Sequence, residues 1–277
     1  MKLHCGQFTL DLTSPRVMGI LNVTPDSFSD GGHYSQTDIA VKQAYKFIEE
    51  GADIIDIGGE STRPNAEPVS LQEELDRVIP VIESLASKID IPISIDTYKP
   101  AVMRAAMAAG ASIVNDVKAL QEAGAIEAVA NADVAVCLMH MQGEPRNMQD
   151  DPLYDDVVED VVTFLLDRVA ICEQAGIQKN RLLIDPGFGF GKTRMHNITL
   201  IQQLNTLVNT GYPVLVGLSR KSVLGQITGN DIDARLYVSV SAAVVSAING
   251  AKILRVHDVK ATVEALKVVT AILPNEA

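Results

Sequence analysis

Eight short apolar runs recur along this chain, separated by segments with helical spacing, and each run leads into polar residues that can bind or react. Such runs, rich in Val and Ile, are typical of strands that are buried on both faces of a parallel sheet. Regular alternation of strand and helix favours an α/β fold over α+β. The polar residues at the run ends include Asn22, Glu60, Asp96, Asn115, His140, Asp185, Lys221 and His257.

This alternation predicts an α/β protein built as a single (β/α)₈ TIM barrel, with chemistry at the carboxyl ends of its strands. The predicted strands lie near 16–21, 53–58, 92–96, 111–115, 134–139, 181–185, 213–218 and 252–256. Residues 3–12 predict a short N-terminal β-hairpin that caps the barrel floor. The length of 277 residues and the lack of a linker predict one domain over 1–277. A doubly wound sheet is the alternative, but it would concentrate ligand residues at one switch point.

Composition excludes several classes of protein. The net charge of −12 argues against a nucleic-acid partner, because such partners require a basic face. The N-terminal residues MKLHCGQFTLDL lack the long apolar stretch that is typical of a signal peptide, and no apolar segment reaches the roughly 18 residues that span a membrane. The three cysteines are widely spaced and lack a CxxC pair, which predicts free thiols in a reducing compartment. The expectation is a cytoplasmic protein without nucleic-acid or membrane partners.

The segment DPGFGFGKT, residues 185–193, looks like a phosphate-binding loop but fails both glycine patterns. Pro186 stands where a P-loop needs its first glycine, and Lys192 and Arg194 stand where GxGxxG needs its third. The glycines instead predict close passage of the backbone beside a flat ligand, with Phe188 or Phe190 free to cover it. A tight strand–helix turn is compatible with this interpretation.

Two carboxylates and an amide, from Asp96, Asn115 and Asp185, follow three different strands. Converging in one pocket, they would suit a ligand edge that combines N–H donors with acceptors, since a carboxylate can accept two parallel N–H bonds. Each could alternatively cap a helix. A divalent metal site is a second alternative, although no His accompanies them in ligand spacing.

A basic patch is predicted from the ends of the last two strands. SRKS, residues 219–222, places two cations and two hydroxyls where a helix begins, and Arg255 and His257 follow the final strand. With Arg63, these groups predict a site for an anion such as phosphate. A solvated surface patch is the alternative.

Two polar loops, 22–35 with Phe28 and 59–70, are too long to be simple connectors. Gly31 and Gly32 predict a mobile lid that orders on substrate, and a disordered surface loop is the alternative.

Eight segments, in order along nearly the whole chain, carry a more specific pattern. They are MGILNVTPDSFSDGG (18–32), GGESTRP (58–64), ISIDTYKP (93–100), IVNDV (113–117), CLMHMQG (137–143), IDPGFGFGK (184–192), GLSRKS (217–222) and LRVHD (254–258). Together they resemble the pterin-binding enzyme family and, within it, the dihydropteroate synthases. The resemblance implies a barrel, a homodimer, Mg²⁺ and a reaction of folate synthesis. In that reaction, 6-hydroxymethyl-7,8-dihydropterin diphosphate and 4-aminobenzoate give dihydropteroate and diphosphate.

The resemblance also implies roles for individual residues. Catalysis falls to Asp96, Lys221 and Arg255, and Asn22 is the implied Mg²⁺ ligand. The pterin would lie against Asp96, Asn115, Met139, Asp185, Phe190, Gly217, Lys221 and Arg255. The diphosphate would contact Asn22, Thr62, Arg63, Arg255 and His257, and the aminobenzoate slot would be bordered by Phe28, Arg63, Pro64 and Ser222. One departure from the family pattern is Lys118-Ala119, where a glycine is common.

Two other functions compete with this one. A methyltetrahydrofolate-binding methyltransferase domain could share the Asp/Asn/Asp pocket, but it has no need of a diphosphate patch. A catalytically silent paralogue could bind pterin alone, but its loops at 22–32 and 59–64 should then have decayed.

Overall fold

The predicted barrel is present in a computed structural model that describes residues 1–24, 33–61, 67–144 and 146–272. Within these ranges, the eight parallel strands are β3 (Arg16–Asn22), β4 (Ile54–Gly58), β5 (Ile93–Asp96), β6 (Ile113–Asp116), β7 (Ala135–Met139), β8 (Leu182–Asp185), β9 (Leu215–Val216) and β10 (Ile253–Val256). Their order in the sheet is β8-β7-β6-β5-β4-β3-β10-β9. A parallel bridge between Ile184 of β8 and Val214, just before β9, joins the two edges, so the sheet closes on itself.

The predicted hairpin consists of β1 (Lys2–Cys5) and β2 (Phe8–Asp11), which pair antiparallel. Its fully buried side chains close the amino-terminal end of the barrel. They pack against interior residues from seven of the eight strands, in a cluster formed by Leu3, Cys5, Leu12, Met18, Ile54, Ile113, Ala135, Cys137, Leu183, Leu215 and Ile253. The barrel therefore has an apolar floor, and polar groups are left to the opposite end.

The seventh barrel strand is shorter than predicted. The pattern predicts 213–218, whereas β9 spans Leu215–Val216. Pro213 lacks an N–H and only accepts, taking a hydrogen bond from the Ile184 amide at 3.0 Å. A single bridge at Val214 therefore replaces a longer ladder at the closure.

The outer layer of the barrel is helical, as the segments of helical spacing between the strands predict. Ser70 caps α2 (Leu71–Ala86) by accepting from the Glu73 amide, and Gly110 ends α3 (Pro100–Ala109) at a φ of +116°. No helix in the described ranges is long and apolar enough to cross a membrane. The helices are α1 (His33–Glu49), α2 (Leu71–Ala86), α3 (Pro100–Ala109), α4 (Ala125–Val129), α5 (Val157–Gln174), α6 (Arg194–Gln202), α7 (Leu204–Val208), α8 (Ser222–Thr228), α9 (Leu236–Ile248) and α10 (Val259–Ile272).

Candidate active site

The carboxyl ends of the strands bring the predicted carboxylates and amide together at the barrel mouth. Asp96 and Asp185 are the last residues of β5 and β8, and Asn115 is the next-to-last residue of β6. Asn115 and Asp185 are only 4% and 6% exposed. The charges of Asp96 and Asp185 both act on the Lys221 ammonium, so the two carboxylates share one cup.

Arg255, in β10, spans the centre of this cup between two carboxylates. Its Nε donates to Asp56 Oδ2 at 2.6 Å, and its Nη2 donates to Asp96 Oδ2 at 2.7 Å. Asn115 Nδ2 also donates to Asp56 Oδ2, at 3.3 Å. Because β4, β5, β6 and β10 all contribute, the network fixes four strand ends relative to one another.

Burial shifts the ionisation of the charged groups in the cup. It raises the pKa of Asp96 to about 7, against the opposing effect of Arg255. Burial likewise raises the pKa of Asp185, opposed by Lys221, and lowers the pKa of Lys221 to about 8, opposed by Asp185. For Arg255, burial alone would lower the pKa, but Asp56 and Asp96 raise it, so the guanidinium stays charged. Such shifts are typical of functional sites.

Lys221 connects the acidic cup to the loop that follows β8. Its Nζ donates to the Phe188 carbonyl and lies 4.5 Å from the centre of the Phe190 ring. Gly217 borders both cations, since a Cβ at this position would be in ordinary contact with Lys221 Nζ at 3.9 Å and with the Arg255 Cβ at 3.8 Å. Lys221, Phe190, Gly217 and Arg255 thus meet as the motifs imply.

The loop after β8 is held in place by a buried lysine that was not assigned a role from the sequence. Lys192 Nζ, 2% exposed as a residue, contacts His140 Nδ1 at 2.9 Å and donates to the carbonyls of Gly187 and Phe190 at 3.0 Å each. Burial lowers the pKa of His140 to about 2, so its ring is neutral and Nδ1 can accept. Lys192 therefore joins the ends of β7 and β8.

Close backbone approach explains the glycines of this loop. A Cβ at Gly187 would lie 1.8 Å from the His140 carbonyl oxygen, and one at Gly191 would lie 2.3 Å from that of Gln142. Both residues also have positive φ, of +67° and +61°. The glycines therefore allow close approach to the loop after β7, and the predicted passage of this backbone beside a flat ligand stays a prediction.

The two phenylalanines of the loop behave differently. Phe188 is fully buried in the main core, so the prediction that it could cover a ligand is wrong. Phe190 instead packs at the mouth in a small apolar cluster, consisting of Val117, Met139, Met148 and Phe190. Met139 and Phe190 therefore provide an apolar wall beside the acidic cup.

The basic patch is smaller than predicted. Arg220 makes a bidentate pair with Asp258, with Nε and Nη2 3.0 and 2.7 Å from the carboxylate oxygens. This pair removes Arg220 from the patch, because its guanidinium is already neutralised by a fixed partner. His257 is half-buried, with its Nδ1 3.0 Å from Ser219 Oγ, and lies near the end of β10.

The remaining predicted residues lie at the rim or outside the described ranges. Asn22 ends β3, and its Oδ1 and Asp96 Oδ2 lie 3.7 and 3.8 Å from the point where a Cβ on Gly58 would stand. Ser222 is the first residue of α8 and is exposed. Phe28, Thr62, Arg63 and Pro64 lie outside the described residues, as do Gly31 and Gly32 of the predicted lid.

Asn22 carries an amide oxygen, a donor of the kind that Mg²⁺ prefers. Mg²⁺ is commonly held by one or two protein oxygens together with phosphate oxygens and water. Within the described residues, no group of three or more His, Cys, Asp or Glu side chains could hold a metal ion. An amide oxygen at the mouth, next to an anion site, fits this substrate-assisted mode of binding.

Two charged networks at the mouth were not predicted from the sequence. One is Asp56 with Arg255, and its signal is a charged residue inside the apolar run ADIIDIGG. The other is Lys99, whose Nζ pairs with Glu60 and with the buried Glu74 and donates to the Val69 carbonyl at 2.8 Å. In the sequence, Glu74 looks like an ordinary residue of α2, so its contact with Lys99 is evident only in the folded structure.

The turn after β6 accommodates the missing family glycine. Ala119 and Leu120 have φ of +52° and +55°, in the left-handed region. Asp116, fully buried, accepts from the Lys118 and Leu120 amides at 2.7 and 2.8 Å and so stabilises the turn. Specific hydrogen bonds thus offset the strain that a glycine would avoid.

The fold and the site define a class of protein, namely a parallel barrel that gathers carboxylates, an amide and cations at the carboxyl ends of its strands. The chain belongs to the pterin-binding enzyme family, because the family model for pterin-binding enzymes matches residues 18–257. Its relatives within that family are dihydropteroate synthases. That of Escherichia coli (strain K12) is 53% identical over 273 residues, covering 99% of this chain and 97% of the relative.

Solved structures agree with this placement. The Xanthomonas albilineans dihydropteroate synthase with 4-aminobenzoic acid is 53% identical, with a TM-score of 0.93 and 99% of each chain covered. The same organism's enzyme in complex with 7,8-dihydropteroate is 50% identical, with a TM-score of 0.90, covering 99% of this chain and 100% of that one. At this identity and coverage, the barrel corresponds over its whole length.

Proposed function

We propose that this chain condenses 6-hydroxymethyl-7,8-dihydropterin diphosphate with 4-aminobenzoate, giving 7,8-dihydropteroate and diphosphate in folate biosynthesis. The observation that carries the proposal is the single cup formed by Asp96, Asn115, Asp185, Lys221 and Arg255 in a chain with full-length similarity to dihydropteroate synthases. The solved relatives with 4-aminobenzoic acid and with 7,8-dihydropteroate support the choice of substrate and product.

The acidic cup suits the 2-amino-pyrimidinone edge of a pterin. Asp185 and Asp96 carry carboxylate oxygens, and Asp96 Oδ1 is buried without a partner among the described residues. A buried acceptor left unpaired costs about 1–3 kcal/mol, so a ligand N–H there would bind favourably. Lys221 would donate to a ring acceptor, and Met139 and Phe190 would flank the ring.

The cationic side of the mouth suits the diphosphate. Arg255 and His257 lie at the end of β10, and Asn22 ends the adjacent β3. Asn22 would contribute one oxygen to Mg²⁺, whose remaining ligands would include diphosphate oxygens. When bound, Mg²⁺ would neutralise charge that builds up on the departing diphosphate. Thr62, Arg63 and Ser222 complete the proposed set around the anion and the aminobenzoate.

The demanding step is release of diphosphate from the pterin methylene, because an arylamine is already a neutral nucleophile at pH 7. Arg255 and His257 would stabilise the charge that develops on the leaving group. The Asp96 carboxylate would stabilise positive charge on the electron-rich dihydropterin. Closure of the mouth over the site would exclude water, which could otherwise trap that charged carbon.

A coupled assay tests the reaction directly. Wild-type protein, both substrates and Mg²⁺ should release diphosphate and form dihydropteroate in equal amounts, and a chelator should suppress both. Diphosphate release should require the aminobenzoate for sustained turnover. Pterin binding without product would instead identify a silent paralogue, and methyl transfer from methyltetrahydrofolate would identify the methyltransferase domain.

A homodimer is part of the proposal, supported by an exposed apolar stripe on α9. Tyr237, Val245 and Ile248 lie at helical spacing on one face and are 81%, 45% and 53% exposed. Apolar side chains in this arrangement are typical of an interface. Analytical ultracentrifugation should give twice the chain mass, and Val245→Glu should give monomers.

We also propose a cytoplasmic location. All three cysteines are free and buried, and burial raises the pKa of Cys5 to about 12 and that of Cys172 to about 11. Thiols of this kind need no disulfide partner and suit a reducing compartment. Fractionation of cells that make the native protein would test the location.

A further inference from the structure

Asp56 lies inside the barrel, below the residues that face a ligand. It is the third residue of β4 and is fully buried. Its neighbours in the sheet are Ile20 of β3 and Ser94 of β5. Its side chain nevertheless contacts Arg255 of β10 and Asn115 of β6, which are not adjacent strands. Those contacts can only be made across the barrel interior.

One oxygen of Asp56 orients two groups of the proposed pterin site. Oδ2 accepts from Arg255 Nε at 2.6 Å and from Asn115 Nδ2 at 3.3 Å. With its Nδ2 directed to Asp56, Asn115 keeps its Oδ1 as the atom that can accept from a ligand. Likewise, Arg255 is fixed by the edge that carries Nε, which determines where the rest of its planar fork lies.

Asp56 also determines how much of Asp96 remains available. An arginine beside a single carboxylate tends to form a bidentate pair, occupying both oxygens. Here Arg255 is shared, with Nε on Asp56 and Nη2 on Asp96 Oδ2 at 2.7 Å. Asp96 Oδ1 is consequently buried without a partner among the described side chains. Competition from Asp56 thus keeps one Asp96 oxygen open.

We propose that Asp56 is a positioning residue for pterin recognition. It acts through Arg255 and Asn115 and, by holding Arg255 Nε, reserves Asp96 Oδ1 for a ligand N–H. This inference rests on the proposed function, because it assumes that the ligand in the cup is a pterin. Asp56 does not touch the substrate, so its removal affects binding of one substrate through the residues it orients.

The test is Asp56→Asn, which keeps the shape of the side chain and removes its charge. Loss of a charge-assisted hydrogen bond weakens binding about 10- to 100-fold. We therefore expect the KM for the pterin diphosphate to rise by that factor, and the KM for 4-aminobenzoate to stay within twofold. Calorimetry with 6-hydroxymethylpterin alone should show the same loss of affinity, and it requires no turnover.

Asp53→Asn is the matched control. Asp53 immediately precedes β4 and pairs with Arg16 at 3.1 Å and the Val17 amide at 2.8 Å, at the opposite end of the same strand. It should lower stability in urea without changing either KM. If the two variants changed pterin affinity equally, or if Asp56→Asn bound pterin normally, the positioning role would be refuted.

A double-mutant cycle separates action through Arg255 from a direct effect. In an Arg255→Met background, Asp56→Asn should cause a much smaller loss of pterin affinity than in the wild type. Additive losses would overturn the proposal. Absence of dihydropteroate with the wild-type protein would refute the proposed function instead. In that case, calorimetry with 6-hydroxymethylpterin would still test the role of Asp56, because it requires no turnover.

Discussion

The two ends of this barrel are built from the same eight strands but solve opposite problems. At the floor, side chains such as Leu3, Cys5 and Met18 are fully buried and apolar, and they need no partner other than one another. At the mouth, the buried Asp56 and the largely buried Asp96 and Arg255 are charges that hold each other through directed contacts. Apolar packing tolerates variation in detail, whereas buried charges require specific partners at specific distances.

The difference implies that stability and activity can be perturbed separately. Residues 1–12 contribute packing at the floor, far along the strands from Asp96 and Asp185. Among the described residues, the mouth keeps an unpaired buried acceptor at Asp96 Oδ1, which costs stability until a partner binds. We therefore expect floor variants to affect unfolding and mouth variants to affect catalysis.

Leu3→Ala should have the largest effect on stability. Leu3 is fully buried in the floor cluster, so its truncation leaves a cavity. The expected loss is about 2–5 kcal/mol in the free energy of unfolding. Urea denaturation measures it, with the exposed Leu153→Ala as control. A large change in kcat for the folded variant would show that the two ends are coupled.

Asp96→Asn should have the largest effect on catalysis. It removes the proposed stabilising charge from the cup while leaving its shape. We expect kcat to fall about 10²- to 10³-fold, the range found when one electrostatic stabiliser is removed. Rapid-quench measurement of diphosphate release tests this step, with the exposed Asp90→Asn as control. Release at the wild-type rate would remove Asp96 from the stabilising role.

Lys192→Met should affect both properties, because Lys192 stabilises the loop that forms part of the mouth. The change leaves the Gly187 and Phe190 carbonyls without their donor. An unsatisfied buried group costs about 1–3 kcal/mol, so stability should fall in that range. The KM for pterin should also rise, since the Phe190 ring is no longer fixed.

Lys179→Met is the matched control for Lys192. Its ammonium lies 4.5 Å from the centre of the Tyr212 ring on the exposed side of the barrel, where such a contact contributes about 0.5–1 kcal/mol. Its KM values should equal those of the wild type. A wild-type pterin KM in Lys192→Met would show that the loop keeps its shape without the buried lysine.

The smallest expected effect is that of pH. On the acidic and the alkaline limb of the profile, kcat/KM for pterin should change about tenfold per pH unit. Since the pKa of Asp96 is raised to about 7, kcat/KM for pterin should rise with pH until its carboxylate forms. Since the pKa of Lys221 is lowered to about 8, kcat/KM should fall above that pH as the ammonium loses its proton. The expected profile is a narrow bell.

Lys221→Arg tests the assignment of the alkaline limb. Arginine stays protonated throughout the accessible range, so the fall above pH 8 should disappear even if the maximum rate is lower.

The deprotonation of Lys221 should affect the stability of the wild-type protein in the direction opposite to its effect on kcat/KM. Because the folded state lowers the pKa of Lys221, the unfolded chain binds more protons between about pH 8 and 10, and stability from this group rises there with pH.

The fold was predictable because each strand and helix carries a local pattern. Val- and Ile-rich runs indicate the barrel strands, and the segments of helical spacing between them indicate the helices. Strand ends were predictable to within two residues, and β9 is shorter by two residues at each end because closure there depends on a bridge between Val214 and Ile184. The convergence of Asp96, Asn115 and Asp185 followed from the rule that parallel strands point their carboxyl ends one way.

Side-chain partnerships were not predictable in the same way. Arg220 and Lys221 are adjacent in sequence, yet Arg220 pairs with Asp258 while Lys221 enters the cup. Arg220 has a φ of +59°, and this backbone turn separates the two cations. Phe188 and Phe190 diverge likewise, one into the core and one to the mouth. These outcomes depend on backbone turns that no local pattern encodes.

The amino-acid sequence alone determined the order of strands and helices, the apolar interior and the end of the barrel that carries chemistry, because periodicity and composition act locally. Only the tertiary structure decided which charges share a partner. Asp56 meets Arg255 across 199 positions of sequence, and Lys192 meets His140 across 52. Contacts between distant positions form only when the barrel closes, and the energy of a buried charge depends on which groups closure places beside it.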